Sequence, residues 1–305
     1  MDDRPISIAY SVTDNWAQHL AVAMASVICN NPGERLVFHV LHYDVTQTTR
    51  ERFAQMEIKY PNVRIEFHHL DKSRFACCPT PKCLSEIPLI AYFRLSLPDI
   101  LQDESRIIYS DIDVLTVRGG LRELWETDLE GRPIACVSDH HVDTDGFRLF
   151  RKMLGMRPED DYFCSGLIVM DLEAMRREKF VERCLETAAR LRDIIVYVDQ
   201  DVINSVCAGR IQPLPDKWNC TAKWNPFRKD VVQWHFQSQT SKPWCNIWKS
   251  ITWIPYLKYL LKTPYRANVL KFVLAHLTGI VWFSYSKNCV RRYLLFGIRV
   301  WKRKI

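Results

Sequence analysis

Arg106-Ile107-Ile108-Tyr109-Ser110-Asp111-Ile112-Asp113-Val114-Leu115 is an apolar run of strand type that ends in two carboxylates and then resumes. Side chains two apart on an extended segment point to one face, so Asp111 and Asp113 stand side by side at a strand end. Such a pair repels itself unless a cation joins it. Two hard oxygen donors in that arrangement suit Mg²⁺ or Mn²⁺, ions that also bridge phosphorylated substrates. A polar turn after a buried strand is the competing reading of the same segment.

Upstream, Pro5 to Tyr10 reads as a first strand, followed by the polar stretch Ser11 to Asn15. His19 to Ile28 has helical spacing, with Leu20, Ala23 and Val27 on one face. Leu36 to Leu41 is a second strand, Thr46 to Tyr60 a helix, Val63 to Leu70 a third strand, and Ile90 to Leu97 a helix before Pro98. Downstream, Ile134 to Val137 and Gly166 to Met170 read as further strands. Strands alternating with helices imply an α/β fold with a mostly parallel sheet covered on both faces. In such sheets ligands lie beyond the carboxyl ends of the strands. Thr13, Asp14 and Asn15, the Asp111–Asp113 pair, and Asp139 with His140 all fall at that rim. No G-x-G-x-x-G or Walker A pattern occurs, which excludes the usual dinucleotide and P-loop sites.

A chain of 305 residues, 48% hydrophobic and 25% charged, has the composition of an ordinary globular protein. Its net charge of +7 hides an asymmetry: residues 231–305 hold 13 Lys and Arg and no Asp or Glu. An acidic body therefore carries a basic foot. The foot is also aromatic, with Trp244, Trp248, Trp253, Trp282 and Trp301, and its longest uncharged run is Phe272 to Ser286. That run is shorter than the ~20 apolar residues of a spanning helix. Cations on both sides of that run suggest instead a helix lying in the interface of an anionic membrane, and the hydrophobic stretch Val269–Phe283 overlaps it. So much apolar surface argues against nucleic acid as the partner. Eleven scattered cysteines and a start, Met1-Asp2-Asp3-Arg4, without signal-peptide character point to a reducing cytoplasmic location. Cys77, Cys78 and Cys83 cluster without a second pair or a His at zinc-site spacing, which makes zinc there a weak reading.

Seven blocks then follow in order: Asp14-Asn15-Trp16, Ala91-Tyr92-Phe93-Arg94-Leu95, Tyr109-Ser110-Asp111-Ile112-Asp113, Phe163-Cys164-Ser165-Gly166-Leu167, Val198-Asp199-Gln200-Asp201-Val202-Ile203-Asn204, Lys217-Trp218-Asn219, and His235 with Lys242-Pro243-Trp244. Together they resemble the family 8 retaining glycosyltransferases of GT-A fold, in particular the bacterial lipopolysaccharide glucosyl- and galactosyltransferases. The resemblance covers about Ile6 to Trp244. It implies a single nucleotide-binding, Rossmann-like mixed sheet flanked by helices in residues 1–245, and a helical, membrane-associating region in 246–305.

The resemblance further implies Mn²⁺, with Mg²⁺ as the alternative, held by Asp111, Asp113 and His235. A UDP-sugar would be the donor and a lipid-linked saccharide the acceptor, on the inner face of the cytoplasmic membrane. Thr13, Asn15 and Trp16 would receive uridine, Arg94 would lie near the donor sugar and its diphosphate, and Lys242 would face the leaving phosphate. Asp139, Asp199 and Gln200 would line the sugar pocket, with Gln200 nearest the anomeric carbon. Asp201 reads as a helix-start charge, and Arg94 has a second reading as an ion-pair partner for a rim carboxylate. Two positions depart from the pattern. Cys164 stands where relatives commonly have Asn. The span Phe236 to Ser241 lacks the glycine of His-x-x-Gly-x-x-Lys-Pro-Trp and has one residue more, so that Ser238 or Gln239 would hinder a close backbone approach. These departures keep a second reading open, a catalytically inactive sugar-nucleotide-binding module of the same fold.

Overall fold

The computed structural model describes residues 4–80, 89–139, 145–221, 228–237, 242–244, 253–277, 283–285 and 289–291. Ser238, Gln239, His140, His141, Cys83, Trp248, Trp282 and Trp301 lie outside the described residues, as does the expected domain boundary at 245/246.

The centre is a seven-stranded sheet in the order β3-β2-β1-β4-β7-β6-β8. Its strands are β1 (Ile6–Ser11), β2 (Leu36–His42), β3 (Val63–His69), β4 (Arg106–Ser110), β6 (Ile134–Ser138), β7 (Phe163–Asp171) and β8 (Ile211–Leu214). A two-stranded ribbon, β5 (Val114–Thr116) against β9 (Gln233–His235), stands beside it. β7 is antiparallel to both β4 and β6, while the other pairings in the sheet are parallel. The sheet is thus mixed, as expected from the resemblance, with one reversed strand in an otherwise parallel set. That reversal brings the amino end of β7, with Phe163, Cys164 and Ser165, to the rim where the other strands end.

Strands buried on both faces need apolar residues at consecutive positions, and β1 and β7 supply them. Ile8, Tyr10, Phe38, Ile108 and Val169 pack on one face with Leu20 and Val27 of α1 (Ala17–Asn30). Ala9, Leu41, Ile107, Tyr109, Ile168 and Met170 pack on the other. That second face is covered by the 3₁₀ segment Leu89–Ser96, α6 (Leu172–Arg177), α7 (Phe180–Arg190) and α8 (Val198–Val206). The remaining helices are α2 (Gln47–Lys59), α3 (Leu97–Ile100), α4 (Leu121–Trp125), α5 (Asp145–Met153), α9 (Trp253–Leu260) and α10 (Asn268–Leu277). Thr46 caps α2, its hydroxyl accepting from the Thr49 amide.

Two elements differ from expectation. The helix read over Ile90 to Leu97 is a 3₁₀ segment, and Pro98 does not end it but sits in the first turn of α3. Proline is tolerated there because first-turn amides have no intrahelical acceptor. The apolar stretch Val269–Phe283 is not one helix: α10 ends at Leu277, and a strand, β10 (Phe283–Tyr285), pairs antiparallel with β11 (Cys289–Arg291). Among the described residues no helix is long and apolar enough to cross a membrane.

The basic foot begins inside the main core. Tyr256, Tyr259 and Leu260 of α9 are buried with α1, and Tyr256 stacks on Phe272 of α10 at a centroid separation of 5.5 Å.

Candidate active site

β4 ends at Ser110, and the chain turns so that Val114 opens the ribbon opposite His235. This register sets His235 against the two carboxylates that a sequence reader sees far upstream. Its Nε2 lies 3.3 Å from Asp113 and 3.8 Å from Asp111. One ligand atom from each of the three residues lies within 4.8 Å of the others, a mixed oxygen and imidazole set suited to one divalent cation.

Gly166 makes room for the ring. A Cβ built there would stand 2.1 Å from His235 Cε1, a distance no real structure tolerates. Glycine inside a strand often marks such a close approach. On the far side of the ring, Nδ1 lies 3.6 Å from the buried Cys164 Sγ, which also accepts from the Gln237 side chain at 2.9 Å. An Nδ1–H donated to Cys164 leaves the Nε2 lone pair facing the carboxylates. Cys164 thus supplies an outer contact to His235. Burial alone would depress the His235 pKa, but the charge of Asp113 beside it, with Cys164, pushes it up to about 10. A cation taking that nitrogen therefore displaces a proton. Burial would raise the Asp113 carboxyl, yet Lys242 and His235 hold it well below the usual range.

The Gly166 geometry gives a direct test. Gly166→Ala should push the His235 ring off the carboxylates and weaken divalent-ion affinity about 10–100-fold, the range seen when a ligand loses its support. Isothermal titration with Mn²⁺ reads the change. Unaltered affinity would mean that His235 is not a ligand.

Lys242 and Arg94 are both paired with carboxylates of the cluster. The Lys242 ammonium, read as facing a leaving phosphate, pairs with Asp113. Arg94, read as lying near the donor sugar and its diphosphate, is 4% exposed and points into the protein. One terminal nitrogen bonds Asp111 at 2.8 Å, the other bonds the Ser165 carbonyl at 2.6 Å, and Nε bonds the Ala91 carbonyl at 2.9 Å. Its guanidinium also lies 4.2 Å from the Tyr109 ring centroid. This is the ion-pair reading of Arg94, for a physical reason: its apolar neighbours carry the residue into the core, where the charge must be paired.

Asp199 lies 3.0 Å from Arg94 Nε, but that N–H is aimed at Ala91, and Asp199 Oδ2 is buried without a hydrogen bond among the described residues. Burial, only partly offset by Arg94, pushes its carboxyl up to about 6. Val198, just before it, has φ +41°, a costly conformation for a β-branched residue. Gln200 accepts from the Ser165 amide at 3.0 Å and donates to Asp139 at 3.2 Å, so the expected pair Gln200 and Asp139 meet at the rim. Asp201 is a brace: it accepts from the Val196 and Tyr197 amides, both at 2.7 Å, and from the Tyr162 hydroxyl.

At the first strand's end, Thr13 is buried and Asn15 exposed. Asp14 turns away to accept from the Thr46 amide at 2.9 Å. Trp16 is half-buried against His19 and Trp244, at centroid separations of 5.2 and 6.1 Å. His19 in turn stacks on Trp244 at 3.9 Å and bonds the Tyr256 hydroxyl at 2.7 Å. Sequence reading missed three contributors: Ser165 as the junction of Arg94 and Gln200, Asn204 as a clamp on both backbone groups of Phe163, and Tyr256 as the support behind Trp16. Asn204 and Ser165 lay within the recognised blocks, and Gly166 carried a signal of its own as a glycine in an apolar strand.

The model of glycosyl transferase family 8 matches residues 7–248. A putative glycosyltransferase of Haemophilus influenzae is 25% identical over 75% of this chain and 66% of its own length. The lipopolysaccharide 1,2-glucosyltransferase of Escherichia coli K12 is 24% identical over 70% of this chain and 62% of that protein. The chain thus spans about two thirds of the length of these relatives. The crystal structure of galactosyltransferase LgtC, in complex with donor and acceptor sugar analogs, superposes with a TM-score of 0.74 at 24% identity, covering 85% of this chain and 96% of that one. That likeness identifies the GT-A arrangement of the sheet. With a family match running through nearly every element of the sheet and the rim, the chain belongs to glycosyl transferase family 8.

Proposed function

We propose that this glycosyltransferase is a retaining, Mn²⁺-dependent hexosyltransferase that moves glucose or galactose from a UDP-sugar to a hydroxyl of a lipid-linked saccharide, such as a lipopolysaccharide core. The observation that carries this reading is the meeting of Asp111, Asp113 and His235 on the same rim as the Gln200–Asp139 pair. When bound, a divalent cation supplies Lewis-acid stabilisation to a departing diphosphate. One imidazole among two carboxylates favours Mn²⁺ over Mg²⁺. Lys242 adds a positive charge at the same place, and Trp16, backed by His19 and Trp244, offers a ring face for uracil beside Thr13 and Asn15. Asp139 and Gln200 present acceptor and donor groups to sugar hydroxyls, while Asp199 acts from behind through Arg94.

A carboxamide at Gln200 is a poor nucleophile, which favours front-face attack over a double displacement. Glucose and galactose are carried as α-linked UDP-sugars, and the named activities of the Escherichia coli relative and of LgtC span both. Proton NMR of the transfer product tests retention: an α-glycoside is expected, and a β-glycoside would overturn it.

The foot supports a membrane-borne acceptor. Ile254, Leu261 and Leu270 are 51%, 53% and 67% exposed, and Lys258, Lys262 and Arg266 are exposed among them. Each basic residue near an anionic surface contributes about 1 kcal/mol. Replacing all three by Gln should therefore weaken binding to phosphatidylglycerol-containing vesicles about 100-fold in sedimentation, while UDP-sugar hydrolysis changes little. Equal loss of both would count against a separate membrane face.

A further inference from the structure

A second group of metal-binding side chains lies on the sheet, sharing no residue with the first. His39 on β2 and Glu66 on β3 are register partners in a parallel pair, and His68 is two residues further along β3. All three therefore project from one face. His39 Nδ1 lies 3.1 Å from His68 Nε2 and 3.5 Å from Glu66 Oε2, and His68 Nε2 lies 4.0 Å from the same oxygen. A tetrahedral zinc ion with bonds of about 2.0–2.2 Å to nitrogen and oxygen requires ligand atoms about 3.3–3.6 Å apart. The three separations of 3.1, 3.5 and 4.0 Å bracket that range, so shifts of a few tenths of an ångström would bring the atoms onto one face of such a polyhedron. We propose that His39, Glu66 and His68 form a zinc-binding site that clips the edge strand β3 to β2.

The surroundings support a ligand set. His39 is 2% exposed on a strand whose neighbours are Phe38, Val40 and Leu41, a costly place for an imidazole without a task. Its Nε2, on the side away from the cluster, has no hydrogen-bond partner among the described residues, and the nearest carboxylate oxygen is Glu104 Oε1 at 3.7 Å. Glu104 is itself held by the Ser7 hydroxyl at 2.9 Å. A small shift closes that gap, and an Nε2–H donated to Glu104 leaves the Nδ1 lone pair for the metal, the arrangement in which a carboxylate orients a zinc-bound histidine. Arg64 holds the other oxygen of Glu66 at 2.8 Å, which leaves Oε2 facing the imidazoles. The His68 and Glu66 side chains are 23% and 31% exposed, which gives an ion a way in.

The donor set separates this site from the first. Two imidazoles and one carboxylate suit zinc, whereas two carboxylates and one imidazole at the rim suit Mn²⁺. A hydrogen bond between His39 and His68 alone would account for their 3.1 Å contact, but not for the convergence of the Glu66 carboxylate on both rings.

The test uses the full chain carrying Asp113→Ala, which disables the rim cluster. Equilibrium dialysis against Zn²⁺ should show one ion per chain, and X-ray absorption should show a shell of nitrogen and oxygen at about 2.0–2.1 Å. Adding His68→Ala, at a partly exposed position, should weaken uptake at least 100-fold. Glu104→Gln, which alters only the outer support, should weaken it about 10–100-fold. Absence of uptake, uptake insensitive to His68→Ala, or a shell containing sulfur from the cysteines would each overturn the assignment.

Discussion

Arg94→Ala should destabilise the folded chain by about 3–5 kcal/mol in urea denaturation, the cost of removing one partner from a buried ion pair. The reason is geometric. The Asp111 and Asp199 carboxylates both lie within 3.0 Å of this guanidinium, and Asp199 Oδ2 lacks a hydrogen bond among the described residues. Without Arg94, both carboxylates remain in a poorly solvated place facing each other. Arg94→Lys should recover little, because an ammonium cannot reach Ala91, Ser165 and Asp111 in the planar geometry that a guanidinium uses. Adding Asp199→Asn to Arg94→Ala should restore part of the loss by removing the charge. A deficit under about 1 kcal/mol would mean that Arg94 behaves as an exposed surface charge.

The same residue sets a pH dependence. Asp199 titrates near 6 in the folded chain, above its ordinary value of 3.8. A carboxyl raised on folding binds its proton more tightly in the native state. Its contribution to stability is thus fully present below about 3.8 and is lost as the pH rises through about 6. Asp199→Asn should therefore gain stability relative to the parent between pH 4 and pH 7. A constant difference across that range would show that Asp199 titrates normally.

Asp113→Ala should lower UDP-sugar turnover about 1,000-fold, corresponding to the several kcal/mol that a bound metal supplies to a departing oxyanion. Asp113 is the partner of both His235 and Lys242, at 3.3 Å in the first case and as a direct ion pair in the second. Its removal disperses the positive charge collected there as well as a ligand. Lys242→Gln should cost less, since it removes one charge and leaves the three donors. Comparable losses for the two variants would place the electrostatic work on Lys242 rather than on a metal.

Much of this site was legible in sequence because it rests on local rules. The Asp111–Asp113 pair was legible as a carboxylate pair, but β4 ends at Ser110 and the two residues lie in a turn closed by the Val114 amide on the Asp111 carbonyl at 3.1 Å, so the turn rather than a strand period brings them together. The alternation of elements sets Asn15, Asp111 and Asp139 at one rim. His235 was legible only through the order of blocks, since nothing local distinguishes it from a core histidine. The reversal of β7 was not readable: Phe163–Asp171 is apolar almost throughout, and such a run carries no direction. That reversal is what delivers Cys164, Ser165 and Gly166 to the site. The burial of Arg94 was not readable, because its partners, Asp111 and Asp199, are distant in the chain and the pairing is tertiary. The foot is basic and aromatic by composition, but its return onto α1, with Tyr256 and Trp244 behind Trp16, is a long-range contact that periodicity does not encode.

The most direct test of the central claim is UDP release from a panel of UDP-sugars with and without Mn²⁺. UDP should be released from UDP-glucose or UDP-galactose with Mn²⁺ present, and the release should disappear with EDTA and return with Mn²⁺. Release that persists in EDTA, or UDP binding with no release from any donor even when a lipid-linked saccharide is supplied, would contradict it.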